Sequence, residues 1–529
     1  MAAIDIFMRG ILLTTAMMIG VKITLLLFKK TRGNLPPGPR GLPLLGNIRD
    51  LPPKGEREWE HWLKHKDIYG PISSITVLGT TMVILHSPEL ALELLEKRSS
   101  IYSSRPKFVL GDMVGWSNIS SLMPYGNMHR LYRRYIHMMV GTQKTVAPYL
   151  SLLEIEVHRL LFRILQEPDL LLNHLRTEAG AVILKMVYGY TVEPHKPDPL
   201  VHLIETSMDQ FNAGVTLGAR LVEVIPALKY VPEWMPGAGW KKVAKMWKAT
   251  LEEAAGKPLK FAQERIAHGN AEKSFVADFH RIRGDNLVPE DYQALKWNAW
   301  TMYGGGSDTT AKTLASVFLA MSIFPAVQHE AQEEIDRIIG TSRLPTFSDR
   351  ASLPYIDAIV TEAWRWHPVA PMGFYHATTT EDVVDGYYIP KGAVIIPNVW
   401  WFTHDPAIYA NPSVFNPSRF LGPNPAPDPI NHIFGYGRRV CSGRYLAISS
   451  VWLAVARSLA VFKISKGLDK SGREIEPTVK FSPGPISRPE EFKATIQPRS
   501  PQHEALIRQL EELHPWENSN ADELRGIVI

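Results

Sequence analysis

The chain has 529 residues, of which 45% are hydrophobic and 21% are charged, and its formal net charge is +5. This composition is ordinary for a globular protein and excludes extensive disorder, while the small net charge argues against a dedicated nucleic-acid binder. Cys441 is the only cysteine, so no intrachain disulfide can form, which is consistent with a reducing compartment for the folded domain.

The first predicted element is a membrane anchor. Residues 11–28 are apolar except for Lys22 and a few small or hydroxyl residues, and a basic cluster follows at residues 29–32. A cleavable signal peptide is the alternative, but no Ala-x-Ala site follows, which favours an uncleaved span. The basic flank predicts a domain that faces the cytosol. We therefore divide the chain into an anchor with its basic flank (1–33), one large domain (34–500) and a polar C-terminal tail (501–529).

A proline-rich spacer and a small mixed region follow the anchor. Residues 35–39, Leu-Pro-Pro-Gly-Pro, cannot continue a helix and predict a stiff extended spacer. Residues 56–69 have a helical pattern, and residues 72–85 contain two β-rich runs. Ser87 followed by Pro88 predicts the start of another helix, because Ser caps a helix and Pro fits its first turn.

The longest predicted helix covers residues 289–324, after a series of helices over residues 150–284. Its centre holds three consecutive glycines at residues 304–306, and each costs about 1 kcal/mol inside a helix. Two interpretations are open: two helices joined by a loop, or one helix with a local widening that leaves room for a small ligand. Asp308 and Thr309 follow directly and supply a carboxylate and a hydroxyl that can relay protons.

Cys441 lies in a glycine- and arginine-rich segment at residues 431–444. Glycines permit a tight backbone, and the arginines and the N-terminus of the helix predicted at residues 445–462 should lower the thiol pKa. The pattern therefore predicts a site for a thiolate. A nucleophilic enzyme would need a general base that no pattern marks, and a zinc site would need further ligands at close spacing. A single thiolate suffices where a porphyrin fills the other positions on an iron.

Four ordered motifs resemble those of the cytochrome P450 monooxygenases. The most specific is the haem-binding signature, Phe434-Gly435-x-Gly437-x-Arg439-x-Cys441-x-Gly443. The others are Gly305-Gly306-x-Asp308-Thr309, Glu362-x-x-Arg365, and Arg419 within Phe-Asn-Pro-Ser-Arg-Phe. The proline-rich spacer and the Tyr-Tyr-Ile-Pro-Lys-Gly segment at residues 387–392 look most like fungal microsomal enzymes of secondary metabolism.

The resemblance implies the cytochrome P450 fold, which is mainly α with a small β-rich region, here with an N-terminal transmembrane helix. Residues 34–500 would then be a haem-binding monooxygenase domain, with haem b as cofactor, Cys441 as its axial thiolate and Phe434 nearby. The residues implied to bind the haem propionates are His129, Arg133, His376 and Arg439. His129 departs from the family pattern, which usually has Trp there, and so does Tyr375, where relatives often have Pro.

The resemblance also assigns two supporting regions. Glu362, Arg365 and Arg419 would form a buried network that locks the fold and takes no part in catalysis. Residues 99–124 would form the loop over the substrate. Four apolar residues of this loop are candidates for the pocket wall or for ordinary core: Phe108, Met113, Trp116 and Met123.

The function implied by the resemblance is a haem-dependent monooxygenase that uses dioxygen and electrons from a separate NADPH-cytochrome reductase, with Asp308 and Thr309 delivering protons. The substrate would be a small apolar metabolite, such as a terpenoid or polyketide of fungal secondary metabolism. The enzyme would be a single-pass protein of the endoplasmic reticulum membrane. Two alternatives remain: a haem-thiolate isomerase or dehydratase that uses no dioxygen, and a non-catalytic membrane-anchored haem protein.

Overall fold

A computed structural model describes Gly20, residues 33–215 and residues 221–529. The fold is mainly helical, with 57% helix and 8% strand, as predicted. The predicted membrane span at residues 11–28 lies outside the described residues except for Gly20. Within the described part, one single helix is long and apolar enough to cross a membrane, Arg444–Val461, and 72% of it is buried inside the protein. This helix therefore belongs to the core of the domain.

Twelve helices of eight or more residues form most of the described structure. They are α1 (Glu58–Tyr69), α2 (Asn127–Val140), α3 (Leu150–Gln166), α4 (Leu171–Tyr188), α5 (Pro199–Val215), α6 (Trp240–Ala267), α7 (Phe275–Arg283), α8 (Pro289–Ile323), α9 (Pro325–Ile338), α10 (Pro354–Trp366), α11 (Arg444–Val461) and α12 (Pro501–Arg508). Shorter helices include Pro88–Ala91, Ser99–Tyr102, Val109–Val114, Gln143–Val146, Leu221–Val224, Val399–His404, Ile430–Ile433 and Leu510–Leu513.

Eight short strands form three small sheets. The strands are β1 (Ile72–Val77), β2 (Thr80–Leu85), β3 (His376–Ala377), β4 (Asp382–Val384), β5 (Tyr387–Ile389), β6 (Val394–Pro397), β7 (Phe462–Lys466) and β8 (Ala494–Pro498). The largest sheet has the order β1-β2-β6-β3, in which β2 and β6 are parallel and the other pairs antiparallel. Strands β4 and β5 form one hairpin-like pair, and β7 and β8 form the other two-stranded sheet.

The start of the domain follows the prediction closely. Helix α1 begins two residues later than its pattern indicates, and the two β-rich runs are β1 and β2, paired antiparallel. The Ser87 side chain accepts a hydrogen bond from the Leu90 N–H, and Pro88 occupies the first turn of the short helix. The predicted cap of this helix is confirmed.

Helix α8 is the central element of the fold. It is one helix of 35 residues, about 50 Å long, so the two-helix interpretation is wrong. It packs against α2, α4, α5, α6, α7, α9, α10 and α11. A helix that contacts eight other helices is buried on most of its faces, so its sequence has no continuous polar face.

A buried ionic network fixes α10 to the loops that precede the Cys441 segment. Glu362 and Arg365 are fully buried, and Arg365 Nε and Nη2 donate to the Glu362 carboxylate at 2.6 and 2.8 Å. Arg419 Nε and the Asn416 N–H donate to Glu362 Oε1 at 3.2 and 2.8 Å. Arg365 also donates to the Thr403 carbonyl. The predicted association of Glu362, Arg365 and Arg419 is confirmed.

The C-terminal stretch 501–529 folds back onto the domain. Leu506 and Ile507 are buried in the hydrophobic core, and the ring of Trp516 lies 5.1 Å from the Arg159 guanidinium. The polar composition led us to set this stretch apart as a tail, but the structure shows that it packs against α3. The helical spacing of its few apolar residues was the available signal.

Candidate functional site

A large cavity lies between α8, the irregular segment of residues 368–375 and the Cys441 segment. Its volume is about 340 Å³, within the roughly 300–1,000 Å³ that is typical of ligand pockets. Its lining includes Ile119, Ile183, Met186, Met208, Phe211, Trp300, Gly305, Thr309, Val369, Phe374, Phe434, Cys441 and Ile486. No Asp, Glu or Lys is among the described residues that line it.

The Cys441 segment forms a tight loop at one side of the cavity. The Cys441 N–H donates to the Phe434 carbonyl at 2.7 Å, and α11 begins at Arg444. Gly435 and Gly437 have φ of 74° and 46°, a backbone region that residues other than glycine rarely adopt. The thiol lines the cavity, so a metal ion held in the cavity could bind it.

The pKa of Cys441 differs from the prediction. Burial raises the pKa of the thiol, and the Gly443 N–H together with the charges of Arg133 and Arg444 only partly opposes this effect. The sequence reveals the glycines, the arginines and the helix N-terminus but not how the protein packs around the thiol, whose residue is exposed towards the cavity. A bound metal would supply positive charge that favours the thiolate, because a metal deprotonates a coordinating thiol.

Phe434 covers the Cys441 loop from the side of α10. Its ring meets Trp364 edge to face, with 5.4 Å between centroids, and both side chains line the cavity. The prediction that Phe434 lies beside the sulfur site agrees with this position.

Six basic side chains line the cavity; besides His432 these are a cluster of five, Arg105, His129, Arg133, His376 and Arg439. Burial lowers the pKa of all five, and their mutual repulsion lowers it further for four of them. No carboxylate among the described cavity residues balances their charge. Such a cluster is suited to a ligand with negative groups at one edge.

His129 and Arg133 both extend from α2 into this end of the cavity, as the spacing of four residues predicts. His129 is 2% exposed, and its Nδ1 has no hydrogen-bond partner among the described residues. Burial, followed by the nearby arginines, lowers its pKa to about 3, so the ring is neutral. Arg133 donates to the Ser442 hydroxyl beside Cys441. Both side chains are positioned to reach a ligand in the cavity.

His376 and Arg439 are tied to the loop of residues 99–124. His376 Nδ1 donates to the Tyr102 carbonyl at 2.7 Å, so a neutral ring presents Nε2 as an acceptor. A hydrogen bond from His376 to an anion therefore requires the doubly protonated ring. Arg439 donates to the carbonyls of Ser103, Ser120 and Met123 at 2.7, 3.0 and 2.6 Å. Arg439 thus holds the loop as well as lining the cavity.

Sequence reasoning missed Arg105. This side chain is 7% exposed, and it donates to the carbonyls of Ser121, Phe374 and Tyr375 at 2.7, 2.8 and 2.9 Å. An Arg within an aperiodic segment carries no local pattern. Only the tertiary structure, which brings residue 105 next to residue 374, reveals it.

The apolar candidates of the 99–124 loop are not among the described residues that line the cavity. Trp116, for example, is 1% exposed and packs against Phe211 and Trp247, with ring centroids 5.5 and 5.7 Å away. The loop instead contributes Ile119 and two serines to the wall. Phe108 and Trp116 are buried core residues, and Met123 packs against the core. Met113 is partly buried and is among neither the described core residues nor the described cavity residues.

The three glycines of α8 are explained by their neighbours. A Cβ at Gly304 would lie 3.0 Å from Met208 Sδ, and one at Gly306 would lie 2.6 Å from Ile183 Cδ1. A Cβ at Gly305 would meet no atom within 4 Å, because this glycine faces the open cavity. The helix remains α-helical throughout, so the predicted local widening is wrong. Close packing at Gly304 and Gly306 and open space at Gly305 therefore account for the three consecutive glycines.

Thr309 and Asp308 occupy different environments. Thr309 lines the cavity, and its hydroxyl donates to the Gly305 carbonyl at 2.7 Å. Asp308 is not among the described cavity residues; its carboxylate accepts from Lys312 Nζ at 2.6 Å. The side chains of this ion pair are 16% and 7% exposed. The spacing of four residues could have revealed Lys312, which the sequence analysis did not consider.

These residues fit haem b. A flat macrocycle with two carboxylates and a central iron matches a cavity that has a free thiol at one side, five basic side chains at its end and an unpartnered imidazole nitrogen on His129. Cys441 would bind the iron, and the basic cluster would bind the propionates. The remaining apolar space next to Gly305 and Thr309 can take a second molecule. Fold and site together define a haem-thiolate protein with an apolar substrate cavity.

Comparison with known proteins identifies the family. The sequence matches the family Cytochrome P450 over residues 36–488. Cytochrome P450 monooxygenase claR of Ampulloclitocybe clavipes is 46% identical over 93% of this chain and 92% of its own length. Cytochrome P450 monooxygenase ppsD of Aspergillus oryzae is 43% identical over 95% and 96%, and the O-methylsterigmatocystin oxidoreductase of Aspergillus flavus is 38% identical over 94% and 94%.

The chain belongs to the cytochrome P450 family and is an oxygen-incorporating oxidoreductase, a monooxygenase. Proteins of this family bind haem b through a cysteine thiolate. Because Cys441 is the only cysteine, it is the only residue of this chain that can supply that ligand.

Proposed function

We propose that this enzyme hydroxylates or otherwise oxidises a small, uncharged, apolar metabolite of fungal secondary metabolism, such as a terpenoid or polyketide. The observation that carries the proposal is the wall of the cavity beyond Thr309. There the described lining is composed mainly of aliphatic, Met and aromatic side chains, including Ile183, Met186 and Phe211, and it contains no acid and no lysine. A charged substrate would lie there without a counter-charge.

The names of the relatives support an assignment to fungal secondary metabolism. The A. flavus relative is named for O-methylsterigmatocystin, and the other relatives described above are fungal monooxygenases. We extend this to an anchored enzyme at the endoplasmic reticulum membrane, on the basis of the apolar run at residues 11–28 and its basic flank. Electrons would come from a separate NADPH-cytochrome reductase.

The protein supplies ligation, shielding and protons to the haem, which when bound supplies the iron that activates dioxygen. Cys441 would hold the iron as a thiolate and supply electron density to it, and Phe434 would pack beside the sulfur. Thr309 presents a hydroxyl to the cavity and can pass a proton through it. Asp308, once its carboxylate leaves Lys312 and takes up a proton from water, would return a proton to this hydroxyl.

An isotope experiment tests the proposed function. The full chain is expressed in yeast microsomes with a fungal NADPH-cytochrome reductase and given a panel of sesquiterpene hydrocarbons, sesquiterpene ketones and aromatic polyketides under ¹⁸O₂. We expect at least one product that is NADPH-dependent and carries one ¹⁸O atom. Isomerised or dehydrated products that form without dioxygen would establish the isomerase alternative. Haem-loaded protein that turns over no compound of the panel would favour the non-catalytic alternative.

Two threonines provide a matched pair for the proton role. Thr309→Val keeps the side-chain shape but removes the hydroxyl, so oxygenated product per NADPH should fall about tenfold or more, with the missing electrons recovered as hydrogen peroxide. Thr313 also lines the cavity and donates to the carbonyl four residues earlier, at 3.0 Å. Thr313→Val should change this ratio less than twofold. Equal effects of the two substitutions would contradict the assignment of Thr309.

A further inference from the structure

The loop of residues 482–488 brings Ile486 into the wall of the substrate cavity, where this residue is 3% exposed. The Ser487 hydroxyl donates to the Ser482 carbonyl at 2.7 Å and so closes the loop on itself. The Ser487 N–H donates to the carbonyl of Val369, another residue that lines the cavity, at 2.7 Å. On this side the loop is therefore fixed to the cavity wall.

Asn212 of α5 holds the other side of the loop. Its Nδ2 donates to the Ile486 carbonyl at 2.9 Å, and its Oδ1 accepts from the Ile486 N–H at 2.9 Å. One side chain thus satisfies both backbone groups of Ile486. Gly484 has a φ of 107°, and a Cβ there would lie 3.2 Å from Asn212 Oδ1. The glycine therefore leaves the space that the amide needs.

Asn212 connects two walls of the cavity without being among the described residues that line it. Its neighbour on α5, Phe211, lines the cavity, and so does Ile486. The ring of Phe211 also faces Phe374, with 6.4 Å between centroids. The amide of Asn212 therefore fixes the position of Ile486 relative to Phe211, and with it the shape of the space between them.

A second link between α5 and the loop is weak. Asp209 Oδ1 lies 3.9 Å from Arg488 Nη1, and the two side chains are 56% and 40% exposed. Exposed ion pairs contribute about 0–1 kcal/mol, because water and salt screen their charges. The two hydrogen bonds of Asn212 are shorter and act directly on the backbone of a cavity residue.

We propose that Asn212 is a positioning residue that sets the selectivity of the enzyme for substrate shape, by holding Ile486 in place beside Phe211. The inference rests on the proposed function, because it takes the apolar cavity as the place of the substrate. A fixed wall discriminates between isomers of different shape, whereas a wall that moves adapts to both. Loss of the two hydrogen bonds should therefore reduce the difference in affinity between isomers.

Binding of isomeric ligands to the full-length, haem-loaded enzyme tests the proposal without turnover. The probes are three pairs of neutral N-aryl imidazoles, which bind iron through the same ring: the meta- and para-biphenyl, the alpha- and beta-naphthyl, and the ortho- and para-tolyl compounds. The shift of the Soret band gives each Kd. For at least one pair we expect the wild-type Kd values to differ about tenfold or more. Asn212→Leu, which removes both hydrogen bonds, should lower this ratio about fivefold.

Two further variants separate the hydrogen bonds from packing and folding. Asn212→Asp keeps the shape of the side chain but turns a carboxylate oxygen towards the Ile486 carbonyl, so the ratio should fall here too, and this variant decides if Asn212→Leu binds no haem. Gln210→Leu is the matched control. Gln210 lies on the same helix, donates to Thr250 at 3.2 Å and is not among the described cavity residues, so the ratio should change less than twofold.

The ratio of two Kd values is measured on folded, haem-loaded protein alone, so a general loss of stability leaves it unchanged. The proposal is overturned if the wild type discriminates within no pair, if the Asn212 variants keep the wild-type ratio, or if Gln210→Leu lowers it equally. The ¹⁸O experiment on the wild type and the carbon-monoxide spectrum report separately on the proposed function and on the haem-thiolate assignment. Failure of either is therefore distinguishable from failure of the role of Asn212.

Discussion

Replacing Glu362 with Gln removes the negative charge that two buried arginines share. The Glu362 carboxylate accepts two hydrogen bonds from Arg365 at 2.6 and 2.8 Å, one from Arg419 at 3.2 Å and one from the Asn416 N–H at 2.8 Å. A neutral amide can accept only at its oxygen, and its NH₂ group would point towards guanidinium donors. The substitution leaves cationic groups buried without a counter-charge.

The expected loss is large on the scale of protein stability. Breaking a buried ion pair by removing one partner costs about 3–5 kcal/mol, compared with total folding free energies of about 5–15 kcal/mol. We therefore expect Glu362→Gln to lose about a fifth or more of the free energy of unfolding. Haem-loaded protein should be recovered at a much lower yield, although Glu362 does not line the cavity.

Urea unfolding of the detergent-solubilised chain, followed by tryptophan fluorescence, measures this loss. Asp522→Asn is the matched control: Asp522 also precedes an Arg by three residues and contacts Arg525 at 2.8 Å, but the two side chains are 81% and 83% exposed. The control should shift the unfolding midpoint little, because exposed ion pairs contribute little. If both variants unfold at the same urea concentration as the wild type, the network does not stabilise the fold and our reasoning is refuted.

Three further predictions concern other parts of the structure. Burial raises the pKa of Glu178 from an ordinary 4.5 to about 8, so the folded state holds a proton that the unfolded state releases, and stability should fall as pH rises from about 4.5 to 8. Burial also raises the pKa of Glu58, to about 7, so Glu178→Gln should reduce this slope without abolishing it and should stabilise the protein at pH 8 by on the order of 3 kcal/mol. Urea unfolding at several pH values measures the slope, and a slope that the substitution leaves unchanged would contradict the assignment. Gly305→Ala should raise the free energy of unfolding by about 0.5–1 kcal/mol, because the added Cβ enters open space. In Gly306→Ala the added Cβ meets Ile183, so this variant should gain less stability or lose some. Urea unfolding compares the two variants, and a more stable Gly306→Ala would be inconsistent with the packing. His129→Phe removes the unpartnered imidazole nitrogen and should speed haem transfer to apomyoglobin about tenfold or more, and equal transfer rates would show that His129 does not hold the cofactor.

Local sequence was sufficient for the parts of the site that a short segment defines. The loop around Cys441, the cap at Ser87, the two strands β1 and β2 and the spacing of Glu362 and Arg365 all depend on residues close together in the chain. Such patterns constrain the backbone directly, so the structure has them where they were predicted. For α8 the local pattern left one helix and two helices equally open, and the structure has one.

Features that depend on distant packing could not be predicted in this way. Arg105 becomes part of the basic cluster only because the chain near residue 374 returns to it, and the glycines of α8 are explained by Ile183 and Met208 from other helices. The direction of the Cys441 pKa shift depends on burial, which the sequence does not show. Local charge patterns indicated a lowered thiol pKa, whereas the folded environment raises it.

The most direct test of the central claim is the carbon-monoxide difference spectrum of the reduced protein in membranes, compared with that of Cys441→Ser. The account predicts a red-shifted Soret band typical of thiolate ligation in the wild type, and the loss of that band in the variant, because no other cysteine can replace the ligand. A wild type without a haem band, or a thiolate-type band that persists in Cys441→Ser, would contradict the assignment of Cys441 as the haem ligand.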